Sequence, residues 1–174
     1  MPSLLARKSA IAAVLVGALA LLAACSESGD YLAVAGGGFV FNYRLAEAEY
    51  GIALKPMREL PADSSIEATF ENPSGGEPFV IRKEGPFNPI RVAFDTPALQ
   101  GVAKDRPYKV VVVLRDAGGA TLQRIEKTFT SQLDQTALPE RPLAIGPGYQ
   151  KNIDGSTTAY PPSLSAKPGT ERSR

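Results

Sequence analysis

The sequence predicts an all-β fold, a single antiparallel β-sandwich, for the middle of this 174-residue chain. Three observations support that prediction. Apolar and polar residues alternate in about seven short segments, and turn signals rich in glycine and proline separate these segments at spacings near ten residues. No helical period longer than a turn or two occurs after residue 25. Such alternation is typical of strands with one buried face, and such spacing is typical of sandwiches.

The first strands are predicted between Phe39 and Leu54. Phe39 and Phe41 lie on one face of an alternating segment, and a second alternating segment covers residues 50–54. The phase of the alternation changes between Leu45 and Ala46, which predicts a turn or a bulge at that point.

The remaining strands are predicted at 66–70, 79–84, 90–94, 108–115 and 122–130. Asn-Pro-Ser-Gly-Gly and Gly-Pro-Phe-Asn-Pro clusters mark turns between the earlier ones. Four consecutive valines in the fourth of these segments predict a central strand that is covered on both faces.

One local feature refines the prediction. Pro107-Tyr108-Lys109-Val110 enters the valine strand, with Leu99 and Gly101 upstream, and this pattern resembles the tyrosine corner of immunoglobulin-like and fibronectin-III-like domains. The resemblance implies an immunoglobulin-like sandwich. The spacing from Leu99 to Tyr108 is longer than in typical fibronectin repeats, and the alternative is that Tyr108 is an ordinary half-buried aromatic residue.

Residues 1–24 are typical of a secretory signal helix. Arg7 and Lys8 precede an apolar stretch at 9–22, and small residues then lead to Cys25. The apolar stretch is shorter than the ~20 residues that a membrane-spanning helix needs.

Leu22-Ala23-Ala24-Cys25 resembles the lipobox of bacterial lipoproteins. That resemblance implies cleavage before Cys25, a diacylglycerol on its sulfur and an acyl chain on its amine. The protein would then be a cell-envelope lipoprotein, and Ser26 favours the outer membrane, facing the periplasm, over the inner membrane. The alternatives are an ordinary cleaved signal with a cysteine nearby and an uncleaved anchor helix.

The organisation predicted for the mature chain has four parts: a lipidated tether at 25–38, the sandwich at 39–131, an extended segment at 132–149 that packs on the domain, and a disordered tail at 150–174. The Gly36-Gly37-Gly38 run is interpreted as a flexible spacer. Tyr31 to Val34 is either loosely docked or a first edge strand.

Composition excludes several kinds of chemistry. The sequence contains no histidine, so it offers no histidine base, catalytic triad or histidine metal ligand. Cys25 is the only cysteine, which excludes a disulfide within the domain. Removing the signal leaves 17 basic residues against 18 acidic ones, and this near-neutral balance gives no reason to expect nucleic-acid binding.

Carboxylates are the remaining candidates for chemistry. Glu47 and Glu49 lie beside a turn and form either an ion site or a solvated face. Glu67 and Glu71 are predicted about 13 Å apart on one strand face, beyond the ~5–9.5 Å separation of glycoside-cleaving pairs. We therefore predict no catalytic residues, no metal and no cofactor beyond the lipid.

The function predicted from these observations is a non-enzymatic interaction or assembly module in the periplasm. The membrane would hold it through the lipid, and a protein partner in the envelope would bind its strand edges or the segment from Leu138 to Tyr149. The alternatives are a small-ligand-binding lipoprotein of the envelope and a histidine-free hydrolase. The oligomeric state stays open.

Replacing Cys25 by serine should abolish lipidation, because serine lacks the sulfur that receives the diacylglycerol. The variant is expected as a soluble protein or an uncleaved precursor, whereas the natural chain should begin at a doubly modified Cys25. Mass spectrometry of the purified N-terminal peptide checks both, and a natural protein that begins elsewhere or carries a bare thiol would refute the prediction.

Overall fold

The computed structural model describes residues 29–145, 148–153 and 155, and the structural statements below concern these residues. The predicted signal helix, Cys25 and most of the predicted tail lie outside them.

Seven antiparallel strands form two sheets. Their bounds are β1 Leu32–Asn42, β2 Glu47–Pro56, β3 Ser65–Phe70, β4 Phe79–Glu84, β5 Val92–Asp95, β6 Pro107–Arg115 and β7 Thr121–Thr130. The first sheet has the order β1-β2-β5, and the second has the order β4-β3-β6-β7. Two further strands of two residues each, β8 Ala144–Ile145 and β9 Gln150–Lys151, pair with each other.

This architecture confirms the predicted all-β antiparallel sandwich. Within the described part of the chain, the helical structure is one 3-10 turn at Gln135–Ala137. The immunoglobulin-like assignment is a finer statement and stays a prediction. β6 is a central strand, as its valines predicted, and Val113 on its outer face is only 7% exposed.

The core lies between the sheets and collects every second residue of their strands. The fully buried large side chains come from both sheets and from the loop between β5 and β6: Leu32, Tyr50, Ile52, Leu54, Ile66, Phe70, Phe94, Leu99, Val102, Tyr108, Val110 and Leu114. Period-two alternation places residues in this way because successive side chains point to opposite faces of a strand. The core is therefore the structural result of the pattern seen in the sequence.

Four aromatic rings connect the two sheets. Phe39 stacks on Tyr50 with centroids 4.6 Å apart and planes 8° from parallel. Tyr50 meets Phe70 edge-on at 5.1 Å, and Phe39 meets Tyr108 edge-on at 5.3 Å. Offset-stacked and edge-to-face pairs add roughly 0.5–1.5 kcal/mol each beyond the burial of their area.

The two buried tyrosine hydroxyls both have backbone partners. Tyr50 donates a hydrogen bond of 2.6 Å to the carbonyl of Glu71, which lies just after β3 in the opposite sheet. Burial, with smaller effects of Glu71 and Tyr108, raises the pKa of Tyr50 well above its usual range, so the hydroxyl keeps its proton. Tyr108 accepts a bond of 2.8 Å from the amide of Ala103. Tyr108 is fully buried, and this bond joins its hydroxyl to the backbone five residues upstream.

The predicted tether at 25–38 was wrong at its C-terminal end. β1 begins at Leu32, and Gly36, Gly37 and Gly38 lie within it, opposite Ala53, Ile52 and Gly51 of β2. The register shifts by one residue between Val34 and Gly36, as at a β-bulge. Strand pairing thus includes the glycines that were interpreted as a flexible spacer.

The start of β1 is fixed by the side chain of Gln123, which projects from β7 in the other sheet. Its carbonyl oxygen accepts bonds from the amides of Tyr31 and Leu32 at 2.9 and 2.8 Å. Its amide nitrogen donates to the carbonyl of Leu32 at 2.9 Å and to the carboxylate of Asp30 at 3.2 Å. We call these four bonds the Gln123 clasp.

Part of the segment that follows β7 packs on the domain. Leu138 packs against the core, and Ala144 is buried. The amides of Leu143 and Ala144 both donate to the carbonyl of Arg44 in the turn between β1 and β2. The predicted start of the tail at residue 150 was wrong, because Gln150 pairs with Ile145 in the small hairpin.

Two local predictions had different outcomes. The phase change at Leu45 and Ala46 is a turn, and Ala46 adopts a left-handed φ of 56°. Ile90, which the alternation placed on a buried face, is 78% exposed because β5 starts only at Val92.

Replacing Tyr50 by phenylalanine should lower the free energy of unfolding by about 1–3 kcal/mol, because the carbonyl of Glu71 loses its partner. Urea unfolding measures the change. Tyr43→Phe is the matched control, since Tyr43 is 47% exposed, and its effect should stay within about 0.5 kcal/mol. Equal effects of both substitutions would show that the Tyr50 hydroxyl does not join the sheets.

Candidate interaction surface at the β1 edge

The two sheets end in four edge strands, β1 and β5 in the first and β4 and β7 in the second. Proteins usually protect such edges with charges, prolines, bulges or very short strands, because unpaired backbone groups attract other chains. Three of these edges are protected in that way. β4 carries Arg82, Lys83 and Glu84, β7 carries charges that include Arg124 and Lys127, and β5 has only four residues.

The β1 edge differs from the other three. Its eleven residues include no charged residue and no proline, and the bulge after Val34 is its single irregularity. In the described part of the chain, β1 pairs with β2 alone, and its other side carries only the Gln123 clasp at Leu32. Val40 is 56% exposed on this edge. Within the described ranges, the backbone groups of β1 after the clasp therefore have no partner strand on that side.

The outer face of the first sheet forms a shallow groove beside this edge. Odd-numbered residues of β2 point outward because Tyr50, Ile52 and Leu54 point into the core. The groove has a volume of about 390 Å³. Half of the residues that line it are glycine or alanine, at positions 35, 36, 37, 38, 51 and 53.

Carboxylates dominate one end of this outer face. Val40 is paired with Glu49, Gly51 with Asp95 and Asn42 with Glu47, so the three acids share the outer face, with Glu47 and Glu49 on the central strand β2 and Asp95 on β5. The pKa of Glu47 is raised, first by burial and second by the negative charge of Glu49. We call Glu47, Glu49 and Asp95 the acidic end of the outer face.

Arg91 is the basic residue among those that line the groove, and no hydrogen bond or ion pair of its side chain is found among the described residues. The same holds for Asp95, whose carboxylate lies directly over Gly51, where a Cβ would clash with it. A cation would reduce the repulsion that raises the pKa of Glu47. The sequence analysis interpreted Glu47 and Glu49 either as an ion site or as a solvated face. In the structure both residues are half-buried on the outer face of the first sheet.

Glu67 and Glu71, the other predicted carboxylate pair, have separate surroundings. Glu71 accepts a bond of 2.7 Å from Arg106 and another of 3.0 Å from the amide of Lys109. Glu67 lies on the outer face of the second sheet, paired with Val113 and Arg82. Glu71 thus ties the loop before β6 to the end of β3.

A second exposed surface lies around the β1–β2 turn, directly before Glu47 in the chain. Tyr43, Leu143, Tyr149 and Ile153 are 47%, 59%, 50% and 89% exposed. Leu143 donates to Arg44 in this turn, and the Arg44 guanidinium lies 6.0 Å from the Tyr149 ring centre. We call these four residues the apolar turn patch. It includes part of the Leu138 to Tyr149 segment that the sequence had suggested as a partner site.

Cys25, the predicted lipidation site, lies outside the described residues. Within the described ranges, no three carboxylate, cysteine or histidine side chains are grouped so that they would hold a metal ion. No helix of that part of the chain has the length and apolar character to cross a bilayer.

Sequence reasoning identified the three acids only in part. Glu47 and Glu49 were noted, but Asp95 joins them through strand pairing that no local pattern reveals. The absence of charge in residues 32–42 was the available signal for an unprotected edge. Because the three glycines were interpreted as a spacer, residues 32–42 were not recognised as one uncharged strand.

No protein-family model and no curated protein matches this chain. Among solved structures, it is similar to part of a family 76 glycoside hydrolase from a bovine Bacteroides thetaiotaomicron strain, with a TM-score of 0.39 and 17% identity. The match covers 56% of this chain and 20% of the hydrolase, so this chain spans about a fifth of that protein. A likeness at this level carries no argument about activity.

Replacing Gly37 by alanine should destabilise the domain by about 1–3 kcal/mol, because the new methyl group would clash with the Phe129 ring and with the carbonyl of Gly51. Gly36→Ala is the matched control, since nothing lies within 4 Å of a Cβ there. The control should be neutral or slightly stabilising. Urea unfolding of both variants checks the difference, and equal stabilities would mean that β1 does not pack on β7 at Gly37.

Proposed function

We propose that this protein is a non-enzymatic interaction or assembly module of the bacterial cell envelope. A lipid on Cys25 holds it at the membrane, with the outer membrane, facing the periplasm, as the favoured location. Its β-sandwich binds a protein partner. The observation that supports the binding role is the unprotected β1 edge, since the other edges of the described sandwich carry charges or are short.

The anchor part of the proposal rests on the sequence. Leu22-Ala23-Ala24-Cys25 follows a signal-type apolar stretch and contains the chain's sole cysteine. One acyl chain alone gives only marginal membrane binding, whereas two or more hold a protein durably. A durable anchor suits a protein that keeps a partner at the membrane.

The non-enzymatic part of the proposal rests on residue chemistry. A chain without histidine would need carboxylates, lysine or tyrosine as acid and base. The two core tyrosines use their hydroxyls in backbone hydrogen bonds, and Glu71 is bound to Arg106. The hydrogen bonds of these two tyrosines and of Glu71 are therefore explained by a structural role.

Affinity capture tests this function in the bacterium that encodes the protein. Cross-linked full-length protein, purified from detergent-solubilised envelope, should return one protein in near-equal amount, and that protein should capture this one in reverse. Cys25→Ser should reduce the yield of the pair, because the variant no longer concentrates both proteins at one membrane. Repeated recovery of the natural protein without a stoichiometric partner would contradict the proposal.

A further inference from the structure

The first strand of the sandwich begins close to the predicted lipidation site. The Gln123 clasp fixes the amides of Tyr31 and Leu32, and Tyr31 is six Cα steps from Cys25. Six steps of extended chain span at most about 20–22 Å. With a lipid on Cys25, the end of the sandwich that contains Tyr31 therefore lies within that distance of the bilayer surface.

The opposite end of the sandwich is too far away to face the bilayer on such a short connection. β1 runs from Leu32 to Asn42, a length of roughly 30 Å, because a strand rises about 3.3 Å per residue. An inverted domain, with the apolar turn patch on the bilayer, would hold Tyr31 roughly 30 Å above it. The connection from Cys25 is shorter than this, so the domain stands with Tyr31 nearest the membrane or lies on its side.

Two exposed apolar side chains lie at the same end of the first sheet as Tyr31. The amide of Met57, just after β2, donates a bond of 2.9 Å to the carbonyl of Tyr31. β5 pairs antiparallel with β2 and starts at Val92, so Ile90 lies at this end as well. Met57 is 57% exposed and Ile90 is 78% exposed. Contact with an apolar phase would remove both side chains from water.

Two arginines and a tyrosine accompany these apolar side chains. The Arg58 guanidinium lies 3.5 Å from the centre of the Tyr31 ring, and Arg91 directly follows Ile90. Tyrosine is enriched where a membrane meets water, because its ring is apolar and its hydroxyl is polar. The guanidinium of arginine forms paired hydrogen bonds with a phosphate group. This combination suits the headgroup layer of a phospholipid bilayer.

The charge at this end of the sandwich is mixed. Asp30 and Glu59 are exposed next to Tyr31 and Arg58 in the chain. A long-range attraction between net charges is therefore weak here, and short-range contacts must hold this end on a membrane. Apolar side chains within the headgroup layer and arginines on lipid phosphates are contacts of that kind.

We propose that the tether end, defined as Tyr31, Met57, Arg58, Ile90 and Arg91, docks on the phospholipid headgroups of the membrane that holds the Cys25 lipid. Met57 and Ile90 enter the headgroup layer, and the two arginines bind lipid phosphates beside them. This inference rests on the proposed lipid anchor and adds a second contact with the same membrane. The strands then rise from the bilayer, and the β1 edge stays accessible to a partner.

Tryptophan fluorescence in vesicles tests the docking. The chain contains no tryptophan, so Ile90→Trp places a single reporter at the tether end, and Leu143→Trp places the control reporter in the apolar turn patch. The lipidated variants are reconstituted in vesicles of phosphatidylethanolamine and phosphatidylglycerol with brominated acyl chains, which quench tryptophan that contacts lipid. Ile90→Trp should lose about half of its fluorescence or more, and Leu143→Trp should keep its own. Equal quenching of both reporters would overturn the inference.

A third reporter distinguishes an upright domain from one that lies on its side. Val40 is 56% exposed on the β1 edge, and Val40→Trp should stay unquenched in the same vesicles. If Val40→Trp is quenched as strongly as Ile90→Trp, the domain lies flat and the docking inference is wrong.

Met57→Asp should reduce the quenching of Ile90→Trp by about half or more, because a charged carboxylate resists entry into the bilayer. Val80→Asp is the matched control, since Met57 and Val80 are both 57% exposed and Val80 lies on β4. The control should leave the quenching unchanged. The docking is contradicted if Met57→Asp has no effect or if Val80→Asp has the same effect.

The arginine contacts are tested in the same vesicles. Arg58→Gln combined with Arg91→Gln should also reduce the quenching of Ile90→Trp, because glutamine carries no charge to bind a phosphate. Unchanged quenching in this double variant would refute the phosphate contacts.

Mass spectrometry of the N-terminal peptide from the same preparation separates this inference from the proposed function. If Cys25 carries its lipids and Ile90→Trp is not quenched, the docking is wrong and the proposed anchor stands. If Cys25 carries no lipid and added vesicles still quench Ile90→Trp, the proposed anchor fails and the docking surface stands. Absence of both the lipids and the quenching would contradict both.

Discussion

The contact between Tyr50 and the opposite sheet is the interaction on which the fold depends most. Tyr50 is fully buried, stacks on Phe39 within its own sheet and meets Phe70 across the core. Its hydroxyl then reaches the carbonyl of Glu71. One side chain thus contacts the opposite sheet through both its ring and its hydroxyl and satisfies a backbone carbonyl at the border of the core. β1 keeps its position as an edge strand because Phe39 belongs to this group of rings.

Much of the fold could be predicted from the sequence because strands leave local patterns. Ile66, Ala68 and Phe70 alternate with polar residues, and β3 covers these positions. The valines of β6 predicted a central strand for the same reason. The glycines of β1 misled the prediction because local propensity favours a spacer. Glycine at position 37 is explained by a tertiary contact, because the Phe129 ring occupies the space that a side chain there would need.

The candidate site could be predicted less well than the fold. The segment that resembles a lipobox is continuous in the sequence, so the prediction for Cys25 needs no structure. Whether β1 is an edge strand depends on the order of the strands in the sheet. The residues around position 36 contain no local pattern that indicates a single neighbouring strand. The acidic end needs Asp95 to pair with Gly51, and that pairing depends on how β5 joins β2. Sites assembled by sheet topology stay hidden until the topology is known.

The Gln123 clasp also limits how far the domain can move from a lipid anchor. The clasp holds Tyr31, so six Cα steps separate Cys25 from the first fixed residue, a span of at most about 20–22 Å. From Cys25 to Val40 the chain covers at most about 50–54 Å even if it runs straight outward. With the proposed lipid on Cys25, this short tether would confine the domain to a thin layer beside the bilayer. A partner would then have to enter this layer to meet it.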